Sequence, residues 1–183
     1  GYILTNAHVV ADARRCLAGG SEAKIMAKFA ALDSRSATAV SCDLVGVDEL
    51  HDLALMKTER PPPAGEEYPF VLLALGEVAV GASVAVTGHP AFAWQPHTQT
   101  GKVVRREFLR LSGESAERSE VIVVNIPLKT GNSGSPVYLQ EGGAVVGIVE
   151  RQNTANRSET VAVPIRYAIE LLDRHGVRWR RGK

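Results

Sequence analysis

Thr130-Gly131-Asn132-Ser133-Gly134-Ser135-Pro136 is the stretch on which the reading of this 183-residue chain turns. A serine between two glycines sits where the backbone can bend sharply and present a hydroxyl beside several N–H groups. Two earlier stretches complete the pattern. Thr5-Asn6-Ala7-His8-Val9-Val10 follows a short apolar run, and Asp48-Glu49-Leu50-His51-Asp52 leads into the apolar Leu53-Ala54-Leu55-Met56. A histidine, an aspartate and a glycine-flanked serine, in that order, are the parts that make a serine hydroxyl attack a carbonyl. His8 and Asp52 are 44 positions apart and Asp52 and Ser133 are 81 apart, so only tertiary folding can bring them together.

The chemistry dictates the residue types. A serine hydroxyl is a poor nucleophile until an imidazole takes its proton; His8 is the candidate base, returning that proton to the leaving amine. Asp52 would accept a hydrogen bond from the other ring nitrogen, fixing the tautomer and stabilising the imidazolium. Gly131 and Gly134 let the N–H groups of Gly131 and Ser133 converge where the carbonyl oxygen becomes negative. Losing one such donor typically costs about 2.7–4 kcal/mol of barrier lowering.

At these residues the chain resembles the trypsin-like (chymotrypsin-fold) serine peptidases, and more closely their bacterial HtrA-like and glutamyl-endopeptidase-like branch. GYILTNAHVV (1–10) is similar to the strand and loop that present the base, and LVGVDELHDLALMKT (44–58) to the segment that presents the acid. VAVTGHP (84–90) and TGKVV (100–104) resemble the start of a second barrel; GAVVGIVERQ (143–152) and ETVAVPI (159–165) resemble strands lining a specificity pocket. The resemblance implies His8 as base, Asp52 as orienter, Ser133 as nucleophile, and Gly131 with Ser133 as oxyanion donors. Asp52 is preferred to Asp48 and Glu49 because the apolar run follows it directly, as in the family. His51, His89, His97 and His175 are read as structural or surface histidines.

The departures are specific. Asn132 stands where the animal digestive enzymes carry the aspartate that binds a freshly cut N-terminus, and Ser135 replaces the usual second glycine after the nucleophile. Val9 follows the base where those enzymes have a cysteine. Family members have one or two strands ahead of the histidine segment, so the first barrel is expected to be incomplete and the chain a piece of a longer one.

Other folds with the same three groups fail on chain order. The α/β-hydrolases run Ser, acid, His and need glycine two positions after the serine, where this chain has Ser135; subtilisin-like enzymes run Asp, His, Ser. Composition fits a globular enzyme: 45% hydrophobic, 22% charged, formal net charge +1. Near-neutral charge gives no reason to invoke nucleic acid, and no apolar run approaches the ~18 residues that a membrane span needs. No signal peptide is visible; by resemblance such domains are secreted or periplasmic. The basic end, Arg178, Arg180, Arg181 and Lys183, is read as a solvated terminus.

Short apolar runs recur at 25–29, 43–47, 53–57, 71–75, 83–87, 102–111, 121–128, 136–139, 144–149 and 160–165, separated by Gly, Pro, Ser and Asn. That spacing, with almost no helical periodicity, predicts an all-β sandwich or barrel. The exception is the end, where Ile165, Ala168, Ile169 and Leu172 fall at helical spacing and Gly176 suits the position past a helix. The expected architecture is two six-stranded-type antiparallel β-barrels with the active site between them and a C-terminal helix. In residues this means an incomplete first barrel (1–60), a crossing (61–82), a second barrel (83–165) and the helix (166–176). Pro61-Pro62-Pro63 and Gly65 mark the linker. Ser112 to Glu120 reads as a mobile surface loop.

Cys16 and Cys42 have no metal-ligand partner at useful spacing; a disulfide between them stays open, buried free thiols are the default reading, and no metal or cofactor is called for. By resemblance the substrate pocket draws on Pro127, Leu128, Val149, Glu150, Arg151, Thr160, Val161 and Ala162. No acid or histidine stands where the family reads Lys, Arg or Glu, which implies a small or medium apolar residue on the acyl side of the cut. Glu150 and Arg151 either make the cleft polar or pair with each other. The reading is a serine endopeptidase acting on proteins or peptides. A second reading, from a different class, is a catalytically silent binding or regulatory module on the same fold; an esterase is a third.

Overall fold

The computed structural model describes residues 1–30, 37–62, 67–92, 95–113 and 115–182. The first sheet contains β1 (Tyr2–Thr5), β2 (Ile25–Ala30), β3 (Ala37–Asp48) and β4 (Leu53–Thr58), all antiparallel in the order β1-β4-β3-β2. Between β1 and β2 lies α1 (Ala11–Ala18). The second sheet is a closed barrel of β5 (Ser83–Gly88), β6 (His97–Arg110), β7 (Arg118–Val124), β8 (Pro136–Leu139), β9 (Val145–Gln152) and β10 (Thr160–Pro164), ordered β10-β7-β6-β5-β8-β9. Helix α2 (Ile165–Arg174) follows directly. The expected all-β class, closed six-stranded second barrel and C-terminal helix are present, and the first sheet, four-stranded and open among the described residues, is the expected incomplete first barrel.

The apolar runs are continuous because these strands are covered on both faces. In β4, Leu53 and Leu55 join one core cluster while Ala54 and Met56 join another on the opposite face. In β7, Val121 and Val123 pack with Leu53 and Leu55, whereas Ile122 and Val124 fill the barrel with Val84, Val86, Val137 and Val149. A single hydrophobic cluster thus runs from the first sheet across the outside of the barrel to Ile165, Ala168, Ile169 and Leu172 of α2. Each such side chain, fully buried, is worth about 1.5–3 kcal/mol.

Several expectations change. Helix α1 is absent from the sequence reading because none of its residues is buried, so no apolar periodicity marks it. Cys16 lies on it and is exposed, contrary to the expectation of a buried thiol; Cys42 is buried, and both are free. Residues 71–75 form no strand. Leu73 alone bridges Val145 on one side and Arg181 on the other, so the basic end is docked through its backbone. The loop expected over 112–120 ends early, since β7 begins at Arg118 and Ser119 is buried, and the run at 121–128 leaves the sheet after Val124. Pro63, Gly65, Glu114 and Lys183 lie outside the described residues.

The end of α2 has a physical stop. Val177 N–H donates to Leu172 O and Gly176 N–H to Asp173 O, with Gly176 at φ +65°, the left-handed cap in which glycine carries no Cβ penalty. The helix also clamps the β3–β4 turn. Arg174 donates to Asp48 Oδ2 at 2.7 Å, His51 Nδ1 meets the same oxygen at 3.0 Å, and the His51 ring stacks on Tyr167 at 3.6 Å. Burial pushes the Asp48 carboxyl up, but the hydrogen bonds and charge of His51, with the Arg174 bond, outweigh it and hold the group at about 2.

A depressed carboxyl stabilises the fold above its ordinary value and loses that contribution as pH falls. Asp48→Asn should therefore cost on the order of 2 kcal/mol in urea denaturation at pH 7, with the difference from wild type closing as pH drops from about 4 toward 2.

Candidate active site

His8 follows β1 in a short 3₁₀ turn, and Asp52 sits in the turn that ends β3 and starts β4. Because β1 pairs with β4, with Thr5 opposite Ala54, the ends that carry these two residues lie side by side. The backbone then locks them together. Ala7 N–H donates to Asp52 O at 3.0 Å, Asn6 Nδ2 to the same oxygen at 3.1 Å, and His8 N–H to Asp52 Oδ1 at 2.9 Å. The second carboxylate oxygen, Oδ2, meets His8 Nδ1 at 2.6 Å. Asp52 has no exposed surface and adopts φ +51°, a left-handed conformation that aspartate tolerates better than most residues.

The His8 ring is held above its ordinary 6.5. The hydrogen bond to Asp52 is the main cause; the negative charges of Asp52 and Glu150 add to it, while burial and the Arg151 charge oppose it.

Ser133 lies in the loop between β7 and β8. Gly131 at φ +97° and Gly134 at φ +84° make the turns on either side. Gly134 N–H donates to Val149 O and Val149 N–H to Ser135 O, both at 2.9 Å, tying the loop to β9. Asn132, nearly buried, turns its side chain back onto Lys129 O at 2.8 Å, so its amide serves the loop itself. Among the described residues, no backbone carbonyl accepts from the N–H of Gly131 or Ser133. A Cβ on Gly134 would come within 2.5 Å of Thr5 Oγ1, so here the serine loop closes on β1. The hydroxyl of Ser133 does not donate to His8: its proton goes to the carbonyl of Glu150, at 3.0 Å.

The eight pocket residues do not share one surface. Leu128, Val149 and Ala162 pack inside the barrel, whereas Val161 belongs to the cluster on the opposite side with Leu53 and Leu55. Thr160 is buried and donates to Ile126 O at 2.7 Å; Pro127 is exposed. Glu150 and Arg151 pair with each other, one of the two alternatives read from the sequence. His51 and His175 are structural, the latter lying against Gly46. Sequence reasoning does not single out Asn6, whose buried side chain braces Asp52; its only signal is its place two residues before His8. Ligating atoms of His8, Asp52 and Glu150 lie within 4.8 Å of one another; His8 Nδ1 is bonded to Asp52, and the Glu150 carboxylate accepts from Ser112 N–H and Arg151.

The family described as trypsin-like peptidase domain matches residues 1–148. A probable periplasmic serine endoprotease, DegP-like, of Hahella chejuensis is 32% identical over 177 residues, covering 94% of this chain and 33% of its own length. Among solved structures, the active form of the Rv3671c protease of M. tuberculosis superposes with a TM-score of 0.72 at 19% identity, covering 99% of this chain and 72% of that one. The HtrA-type protease AlgW with decapeptide gives 0.71 at 22%, covering 96% and 48%. The chain belongs to the trypsin-like peptidase family. It spans about a third of the length of the curated relatives it matches.

Gly134→Ala should force the left-handed turn on a residue with a Cβ and push it against Thr5. The expected loss is about 1–3 kcal/mol of stability in thermal or urea unfolding, with the serine loop displaced.

Proposed function

We propose that this domain is a serine endopeptidase in which His8, Asp52 and Ser133 act as base, orienter and nucleophile. The observation that carries this reading is the His8–Asp52 pair, in which a buried carboxylate holds the imidazole through both its ring N–H and its backbone N–H. With Nδ1 committed to Asp52, Nε2 is the basic nitrogen. Rotation of the Ser133 side chain from the Glu150 carbonyl toward Nε2 aligns the nucleophile. Its oxygen bonds to the substrate carbonyl carbon as its proton passes to Nε2, and the oxygen of the tetrahedral intermediate is received by the N–H groups of Gly131 and Ser133. The C–N bond then breaks, the amine leaves with the proton from Nε2, and water, activated by His8, releases the acyl group from Ser133.

The substrates are proteins or peptides with a small or medium apolar residue on the acyl side of the cut. Val149, tied through its backbone to Gly134 and Ser135, packs with Leu128 and Ala162 in an apolar cluster behind the serine loop that holds no acid or base. The hydroxyl of Ser133, turned to Glu150, favours a second reading, a protease fold that binds without turnover. One experiment separates the two.

A fluorophosphonate probe should label the protein once, as read by intact mass, and Ser133→Ala and His8→Ala should abolish labelling. A folded wild-type protein that takes no label would leave the binding module as the reading. Since the neutral imidazole is the base, labelling should fall as pH drops through a midpoint above 6.5. Asp52→Asn should slow labelling at neutral pH by about 10⁴ and move that midpoint down. A peptide-library cleavage profile dominated by Arg, Lys or Glu at the acyl-side residue would overturn the assigned specificity.

A further inference from the structure

Strand β9 leaves its regular pairing with β10 at Glu150. Val161 stands opposite Arg151 and Ala162 opposite Val149, so Glu150 is the extra residue of a β-bulge. A bulge re-aims the side chain that it carries. Here it delivers a carboxylate with no exposed surface to within 4.8 Å of ligating atoms of both His8 and Asp52. Glutamate is almost never buried to this degree unless paired. Two partners meet it: Ser112 N–H donates to Oε1 at 2.9 Å, and the Arg151 guanidinium donates to Oε2. Arg151, 30% exposed, is itself fixed by donating to Arg110 O at 3.0 Å. The contact of Glu150 with Ser133 is made by its backbone carbonyl, which any residue would supply. The charged side chain must be explained by something else.

We propose that Glu150 is a second carboxylate of the His8–Asp52 pair, a positioning residue that acts through His8 to make the imidazole more basic, with Arg151 as the opposing charge that limits the effect. This deepens the peptidase reading and rests on His8 being the base. Three charged groups act on the ring: Asp52 from the β3–β4 turn, and Glu150 and Arg151 from β9. The two carboxylates, both buried, favour the imidazolium, and the partly exposed Arg151 disfavours it. The imidazolium that forms as Ser133 gives up its proton is therefore stabilised by both carboxylates. The neutral form from which catalysis starts is correspondingly reached at higher pH.

The test is an NMR titration of the His8 ring in the full chain, its signal assigned by its loss in His8→Ala. Wild type is compared with Glu150→Gln, which keeps an acceptor oxygen for Ser112 N–H, and with Arg151→Gln. The expected result is a lower midpoint in Glu150→Gln and a higher one in Arg151→Gln, opposite shifts from adjacent residues that a merely structural role would not produce. The pH midpoint of fluorophosphonate labelling should move in the same two directions. A folded Glu150→Gln protein whose His8 midpoint is unchanged or raised would overturn the proposal. If that variant does not fold, Arg151→Gln decides alone: a raised midpoint supports the coupling and an unchanged one refutes it. The ring titration needs no turnover. Shifts in His8 without labelling of Ser133 would thus reject the peptidase reading while leaving the coupling intact.

Discussion

A carboxylate with no exposed surface, Asp52, lies where the first sheet meets the barrel, and much of the surrounding structure satisfies the charge there. Burying an ion costs several kcal/mol unless its oxygens are well bonded. Both oxygens of Asp52 are committed to His8, and its backbone carbonyl takes two further donors, from Asn6 and Ala7. That arrangement forces the turn at Asp52 into a left-handed conformation, which is held in place from outside. Helix α2 clamps Asp48 and His51, Ser119 donates to Leu50 O at 3.0 Å, and Arg14 of α1 pairs with Glu49. Elements from both sheets and from the far end of the chain therefore converge on one five-residue turn.

The hydrophobic core serves the same end. Leu53 and Leu55 follow Asp52 directly and are shared between the first sheet and the outer surface of the barrel. A shift of β4 by one residue would turn Leu53 and Leu55 toward the smaller cluster that Ala54 and Met56 fill and carry the acid away from His8. Packing and the His8–Asp52 geometry are thus set by the same register. Gly134 against Thr5 provides the second point of contact, fixing the height at which the serine loop approaches β1.

Much of the fold was legible because strands covered on two faces write continuous apolar runs, and α2, covered on one, writes helical spacing at Ile165, Ala168, Ile169 and Leu172. What stayed hidden has a common cause. Helix α1 buries nothing and so leaves no periodic trace, while residues 71–75 are apolar yet join the barrel only through an isolated bridge of Leu73 to Val145, with Leu72 and Ala74 making the backbone bonds. Arg118 to Glu120 looked like loop because its residues are polar. Ser119 is buried there by a hydrogen bond to a turn almost seventy positions away, which no local pattern encodes.

The candidate site divides in the same way. By itself the sequence determined the residue types and their order: a histidine after an apolar run, an acid before one, and a serine between glycines whose missing side chains allow left-handed turns. Side-chain chemistry and local backbone freedom suffice for that much. The tertiary structure decided that Asn6 braces the acid and that the Ser133 proton rests on the Glu150 carbonyl. It also decided that Glu150 turns inward beside His8 while Val161 faces away from the other pocket residues. These depend on a bulge between β9 and β10 and on the approach of two sheets, and such contacts come from pairings between distant strands rather than from any short stretch of chain.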